Sequence, residues 1–308
     1  MKRAILFASD AFGLPAAEAL QTSKLLSWVA VVTQPARPTG RRHELQPTAA
    51  ADWAKKNNIP VYTWERLQEH VDDIRNVEAE FFLVASYGLL IPKAVLDIVP
   101  GQCLNIHASL LPKYRGASPI AQAILENQAE TGVTIMQVIP ALDAGPIIDS
   151  YQVGILPADT AQTLRLRLAN LAAQRIGQTL ERFWAGALPP REQIESSASY
   201  AHKISRLDGQ ASWDSADHEL RKLRAYDPWP GLWTMLVGQR LKILQATVRH
   251  GAPAAPRGTI EQVDPVHWGI VCRDGWLIPE HVQREGKKPS EAHRLMHDIP
   301  DFIGRRCG

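Results

Sequence analysis

Asn105, His107 and Ser109 occupy alternate positions in the stretch NIHASLLPKYRG, and in an extended strand alternate side chains lie on one face. Such a set could do chemistry. An imidazole titrates near neutral pH and can pass a proton, while an asparagine amide donates a hydrogen bond without titrating. Taken alone, these residues leave plainer readings open. A lone histidine at a strand end is often a satisfied structural residue, and an asparagine there often turns the backbone.

The elements that would have to position this set are visible in the pattern of apolar runs. AILFA (4–8), WVAVVT (28–33), FFLVAS (81–86) and CLNIHAS (103–109) are short, apolar and rich in β-branched or aromatic residues. Between them lie helix-like stretches, LPAAEALQTSKLL and PTAAADWAKKNN, the second with Pro47 near its start. Buried strands alternating with helices predict a mostly parallel α/β sheet of Rossmann-like type, with helices on both faces. Ligands of such sheets bind at the carboxyl ends of the strands, where residues 86–90 and 105–112 fall.

Beyond Thr131, TGVTIMQVI and PIIDSYQVGI read as two further strands joined by PALDAG, and 160–183 as a long amphipathic helix. AGALPPREQIESSAS (185–199) has no periodicity and reads as a linker. A helix around 215–225 then precedes several short strands, with a hairpin signal at Asp274-Gly275, predicting a small OB-like β-barrel. The expected organisation is a domain over 1–184, a linker over 185–208 and a barrel domain over 209–308.

Composition bounds the function classes. With 308 residues, 45% hydrophobic and 21% charged, the chain has the make-up of an ordinary globular protein of two domains. A net charge of +2 neither demands nor excludes a nucleic acid, because a local patch matters more than the total. The three cysteines, Cys103, Cys272 and Cys307, lack the spacing of a metal knuckle or redox pair, so no metal is expected and a reducing cytoplasm is the expected home. No window approaches the roughly 18 uninterrupted apolar residues of a membrane helix, so no membrane partner is expected. FASDAFGLP lacks the glycines of a dinucleotide loop, and Walker, H-E-x-x-H and G-x-S-x-G motifs are absent.

NIHASLLPKYRGASPIAQAIL followed by ETGVTIMQVIPALDAGPII closely resembles the folate-dependent formyltransferases. In that family an Asn-x-His pair, an S-L-L-P turn and a downstream L-D-x-G aspartate form the active site. VTQPARPTGRRHELQPT (32–48), YAHKISRLDGQASWD, RAYDPWPGLWT and DGWLIPEHVQREGKKP resemble the branch acting on methionyl initiator tRNA, so the likeness covers essentially the whole chain. The first loop, ASDAFGLP, departs from the family's G-T-P-x-F, and the ending HDIPDFIGRRCG is unusual.

The resemblance implies transfer of a formyl group from 10-formyltetrahydrofolate to the α-amino group of methionine on initiator tRNA, by a monomer. Asn105 would donate to the oxygen that gathers charge, His107 would exchange protons with amine and leaving nitrogen, and Asp143 would orient the imidazole. Ser86, Tyr87, Gly88 and Leu89, opposite Ser109, Leu110, Leu111 and Pro112, would form the two walls of a pterin slot. Arg37, Arg41 and Arg42, continued by Lys203, Lys287 and Lys288, would hold the tRNA backbone. Two rivals are a same-fold enzyme formylating an amino sugar nucleotide or purine precursor, and an RNA-binding protein without catalysis.

Overall fold

The computed structural model describes residues 1–39 and 44–308. Strands are labelled in chain order: β1 Lys2–Ala8, β2 Leu26–Thr33, β3 Arg37–Thr39, β4 Glu44–Gln46, β5 Val61–Thr63, β6 Phe81–Ala85, β7 Cys103–His107, β8 Arg115–Gly116, β9 Glu130–Gln137 and β10 Ile147–Gly154. The later ones are β11 Tyr200–Ala201, β12 Leu232–Leu236, β13 Gln239–His250, β14 Ile260–Gln262, β15 Trp268–Cys272, β16 Gly275–Arg284 and β17 Ser290–Glu291. Two compact units result. One gathers 1–119, 130–154 and 164–202; the other gathers 120–129, 155–163 and 203–308.

The first unit is built on a seven-stranded sheet of order β10-β9-β7-β6-β1-β2-β5. From β7 to β5 neighbouring strands run parallel, while β9 is antiparallel to both β7 and β10. The unbroken apolar runs follow from this: residues 4–8 are fully buried and every residue of β6 is buried, so both faces of these strands are covered. Helix Leu14–Thr22 is tied to β2 by Trp28, whose indole donates to Ala17 O at 3.0 Å. Helix Ala49–Lys56 is N-capped by Thr48, whose Oγ1 accepts from Ala51 N at 3.1 Å and lies 2.6 Å from Thr33 Oγ1 at the end of β2. The long helix is Ala161–Trp184, and Leu164, Leu168, Ala172, Ile176 and Leu180 form its buried stripe, as the periodicity predicts.

Four parallel strands, β2, β1, β6 and β7, present their carboxyl ends side by side, and the loops they feed are 34–36, 9–13, 86–92 and 108–114. These loops are stitched together. Ser9 Oγ donates to Tyr87 O at 2.8 Å, Gln34 Nε2 donates to the same carbonyl at 2.7 Å, and Ser9 N donates to Ser86 O at 3.2 Å.

The second unit is an antiparallel sheet of order β12-β13-β16-β15-β14, with β17 added on β16. Its β15–β16 hairpin turns at Arg273-Asp274, with Gly275 already paired to Cys272, one residue before the expected Asp274-Gly275. The last residues run along β14, where Ile260 N donates to Arg305 O and Cys307 N to Gly258 O, and reach β12 through Gly308 N to Met235 O at 3.1 Å. This last segment closes the small barrel. It is held there by Phe302, packed edge-on against Trp268 at 4.9 Å, and by buried Cys307, whose thiol burial pushes up to about 12.

Candidate active site

β7 carries Asn105 and His107 on the same face because the pleat alternates, and the paired strand β9 fixes the register by setting His107 opposite Thr134. The His107 ring is 94% buried, and its Nε2 lies 2.9 Å from Tyr114 O. A carbonyl can only accept, so Nε2 carries the proton in the neutral ring and Nδ1 is the atom that exchanges one. Nδ1 faces Asp143 Oδ2 at 3.6 Å, too long for a hydrogen bond but close enough for charge attraction. The resemblance gives ring orientation to Asp143. In the structure the Tyr114 carbonyl turns the ring, and Asp143 stands across from the working nitrogen.

The Asp143 carboxylate is placed by its own contacts. Oδ2 accepts from Gly116 N at 2.8 Å, and Oδ1 receives the Asn105 amide at 3.4 Å. Asp143 itself has φ +46°, in the left-handed region that non-glycine residues seldom adopt. Ser86 at +49° and Tyr114 at +61° share this property, so the three loops around the site each carry one strained residue. Gly116 is required by close approach: at φ +108°, a Cβ there would stand 2.7 Å from Ala201 O of the paired strand β11.

An amide, an imidazole and a carboxylate from two segments therefore converge. Together they can take a proton at Nδ1, stabilise the resulting charge, and offer an N–H to an oxygen in a site set back from water.

The two expected walls follow neighbouring strands, 86–89 after β6 and 109–112 after β7. Leu89 and Leu90 are 37% and 66% exposed at the end of β6, next to β7 in the sheet. Their exposed side chains give this wall an apolar surface suited to the face of a flat heterocycle. The Tyr87 side chain does not face that wall. It is 1% exposed, packs edge-on against Phe7 at 5.6 Å, and its hydroxyl is pushed up to about 12 by burial. Ser109 is also turned inward, its Oγ donating to Lys113 O at 2.6 Å.

Some of the supporting residues are ones that sequence reasoning missed. Thr134, fully buried on β9, donates to Ser109 O at 2.7 Å and accepts from Leu111 N at 3.1 Å, so one hydroxyl clasps both ends of the Ser109–Leu111 turn. Its only signal in the sequence is a polar residue inside an apolar strand. Arg115 is 1% exposed and reaches Glu195 Oε2 at 2.9 Å and Gln193 Oε1 at 3.0 Å. Both partners lie in the segment read as a linker, where nothing in the sequence marked them.

Of the residues expected to meet tRNA, Arg37 is exposed on β3 and donates to Gln34 Oε1 at 2.6 Å. Arg41 and Arg42 lie outside the described residues. Lys203, Lys287 and Lys288 are exposed in the second unit. Among the described residues no cluster of histidine, cysteine or carboxylate side chains is spaced to hold a metal ion, and no helix is long and apolar enough to cross a membrane.

Comparison with known proteins adds the family. Residues 1–180 match the family model described as formyl transferase, and residues 203–299 match the model for the formyl transferase C-terminal domain. The methionyl-tRNA formyltransferase of Thiobacillus denitrificans is 40% identical over 284 residues, covering 91% of each chain. The chain belongs to the methionyl-tRNA formyltransferase family. Solved structures under 25% identical show that this formyltransferase shares its fold more widely. WlaRD, a sugar 3N-formyl transferase crystallised with dTDP and 5-N-formyl-THF, superposes with a TM-score of 0.66 at 18% identity, covering 94% of this chain and 99% of that one. HypX from Aquifex aeolicus in complex with tetrahydrofolic acid gives 0.62 at 16% identity, and the formyltransferase spans 98% of its own length but about half, 48%, of the HypX chain.

Proposed function

We propose that the protein transfers the formyl group of 10-formyltetrahydrofolate to the α-amino group of methionine esterified to initiator tRNA. The observation that carries this reading is the buried His107 whose Nδ1 faces Asp143 at 3.6 Å, with the Asn105 amide beside the same carboxylate. The folate supplies a formyl carbon bound to a nitrogen that can leave once it is protonated. His107 takes the proton of the attacking amine at Nδ1, the nitrogen not held by Tyr114, and gives it up to the departing nitrogen. Asp143 stabilises the imidazolium between these two transfers. Asn105 turns an amide N–H toward the formyl oxygen, where charge gathers during attack. Relatives named for the tRNA reaction and the matched C-terminal model support the acceptor.

In this reading Ser86–Leu89 and Ser109–Pro112 form the pterin slot. Tyr87 and Ser109 shape its loops from inside, and Leu89, Leu110, Leu111 and Pro112 line it. Residues 1–184 carry the chemistry, 185–208 connect, and 209–308 hold the tRNA. Arg37, Arg41, Arg42, Lys203, Lys287 and Lys288 bind phosphates and so contribute affinity and salt dependence rather than choice of tRNA.

The test offers purified protein 10-formyltetrahydrofolate with charged initiator tRNA, charged elongator tRNA or an amino sugar nucleotide. Formylation of the initiator alone is expected. Preferential formylation of the sugar nucleotide, or of none of the three, would overturn the proposal.

A further inference from the structure

Asp143 holds a left-handed backbone conformation and its carboxylate is held at the tip by Gly116 and Asn105, while a further side chain secures the peptide behind it. Gln193 does so. Its Nε2 donates to Asp143 O and to Gly145 O, both at 2.8 Å, spanning the turn from two sides. Its Oε1 accepts from Arg115 Nε at 3.1 Å and from Nη2 at 3.0 Å. Arg115 is donor-only, so it dictates which end of the amide is oxygen, and the two N–H groups are left with the two carbonyls. Every hydrogen-bonding position of this side chain is used.

The groups around it leave the turn little freedom. A Cβ at Gly145 would stand 1.9 Å from Gln137 O, so the turn already lies flat against β9. Two residues before Gln193, Arg191 exchanges backbone hydrogen bonds with Ile147 at 2.7 and 2.9 Å, fixing the segment that carries Gln193 to the far side of the same turn. Arg115 is buried and directly precedes Gly116, whose N–H binds the Asp143 carboxylate. A continuous path thus runs from the Arg115 guanidinium through the Gln193 amide to the Asp143 backbone, and back through Gly116 to the Asp143 side chain.

We propose that Gln193, oriented by Arg115, is a positioning residue that sets the distance between Asp143 and His107 and thereby the rate of proton transfer. The proposal rests on the formyl-transfer reading for its kinetic half only. Gln193→Glu keeps an acceptor for Arg115 but loses both donors to the turn, and Gln193→Met fills similar volume with no hydrogen bonds. In whichever variant folds, kcat falls roughly 10- to 100-fold, the scale of a small misplacement of reacting groups, while KM for the formyl donor stays near that of the native chain; the thermal midpoint falls as well, because the two turn carbonyls lose their donors. In Gln193→Met, which adds no charge, the ring 15N shifts of His107, followed against pH, move in the same sense as in Asp143→Asn. A kcat within about twofold of native with an unmoved His107 titration would overturn the proposal, as would a KM for the formyl donor that rises in step with the fall in kcat. The histidine titration needs no substrate, so if the native chain formylates nothing the reaction assignment fails while the role of Gln193 is still decided.

Discussion

His107 can act only through one nitrogen, because Tyr114 O occupies the other at 2.9 Å. His107→Ala is therefore expected to lower kcat by about two to four orders of magnitude, the usual range for loss of a general acid or base, with folate binding measured by fluorescence or calorimetry unchanged. Retained turnover would remove the histidine from the reaction. The residues of the proposed centre are the most legible ones. Asn105 and His107 announce themselves by period-two spacing at a strand end, and Asp143 by a family pattern. Tyr114 and Gly116 contribute backbone atoms, and Gln193 acts from 50 residues away in sequence through Asp143 O, so none of them has a side-chain signature that spacing could reveal.

At the scale of elements, the Ser109–Leu111 turn depends on a hydroxyl from the neighbouring strand. Thr134→Val keeps the shape but strands a buried N–H and a buried carbonyl, and is expected to destabilise the chain by about 1–3 kcal/mol, read by urea or thermal unfolding. Weaker folate binding should accompany it, because Leu110–Pro112 lose their backing; unchanged affinity would mean that this turn does not touch the pterin. The long apolar strands and the amphipathic helix Ala161–Trp184 were readable because burial on both faces or one stripe leaves its period in the sequence. The two-residue pair β8–β11 was not, since such short pairings leave no period and Tyr200–Ala201 falls in a polar, irregular stretch. The antiparallel run of β9 beside β7 was equally silent, because buried strands of either direction look alike.

At the scale of the whole molecule, closure of the second unit falls to its last residues. Deleting 300–308 removes Phe302 and Cys307, each 3% exposed, and uncovers the edges of β14 and β12. Loss of those two buried side chains costs about 3 kcal/mol or more, checked by unfolding the full and shortened chains side by side; equal stability would show that the barrel closes without them. The division of the chain into units has a consequence for anyone building chimeras. Arg221 Nε donates to Leu125 O at 3.0 Å and Arg224 Nε to Asp159 O at 2.9 Å, so the second unit draws on 120–129 and 155–163 as well as on 203–308. A graft that imports 203–308 alone divides this unit, whereas one that moves all three stretches keeps both arginine contacts within the transplanted part.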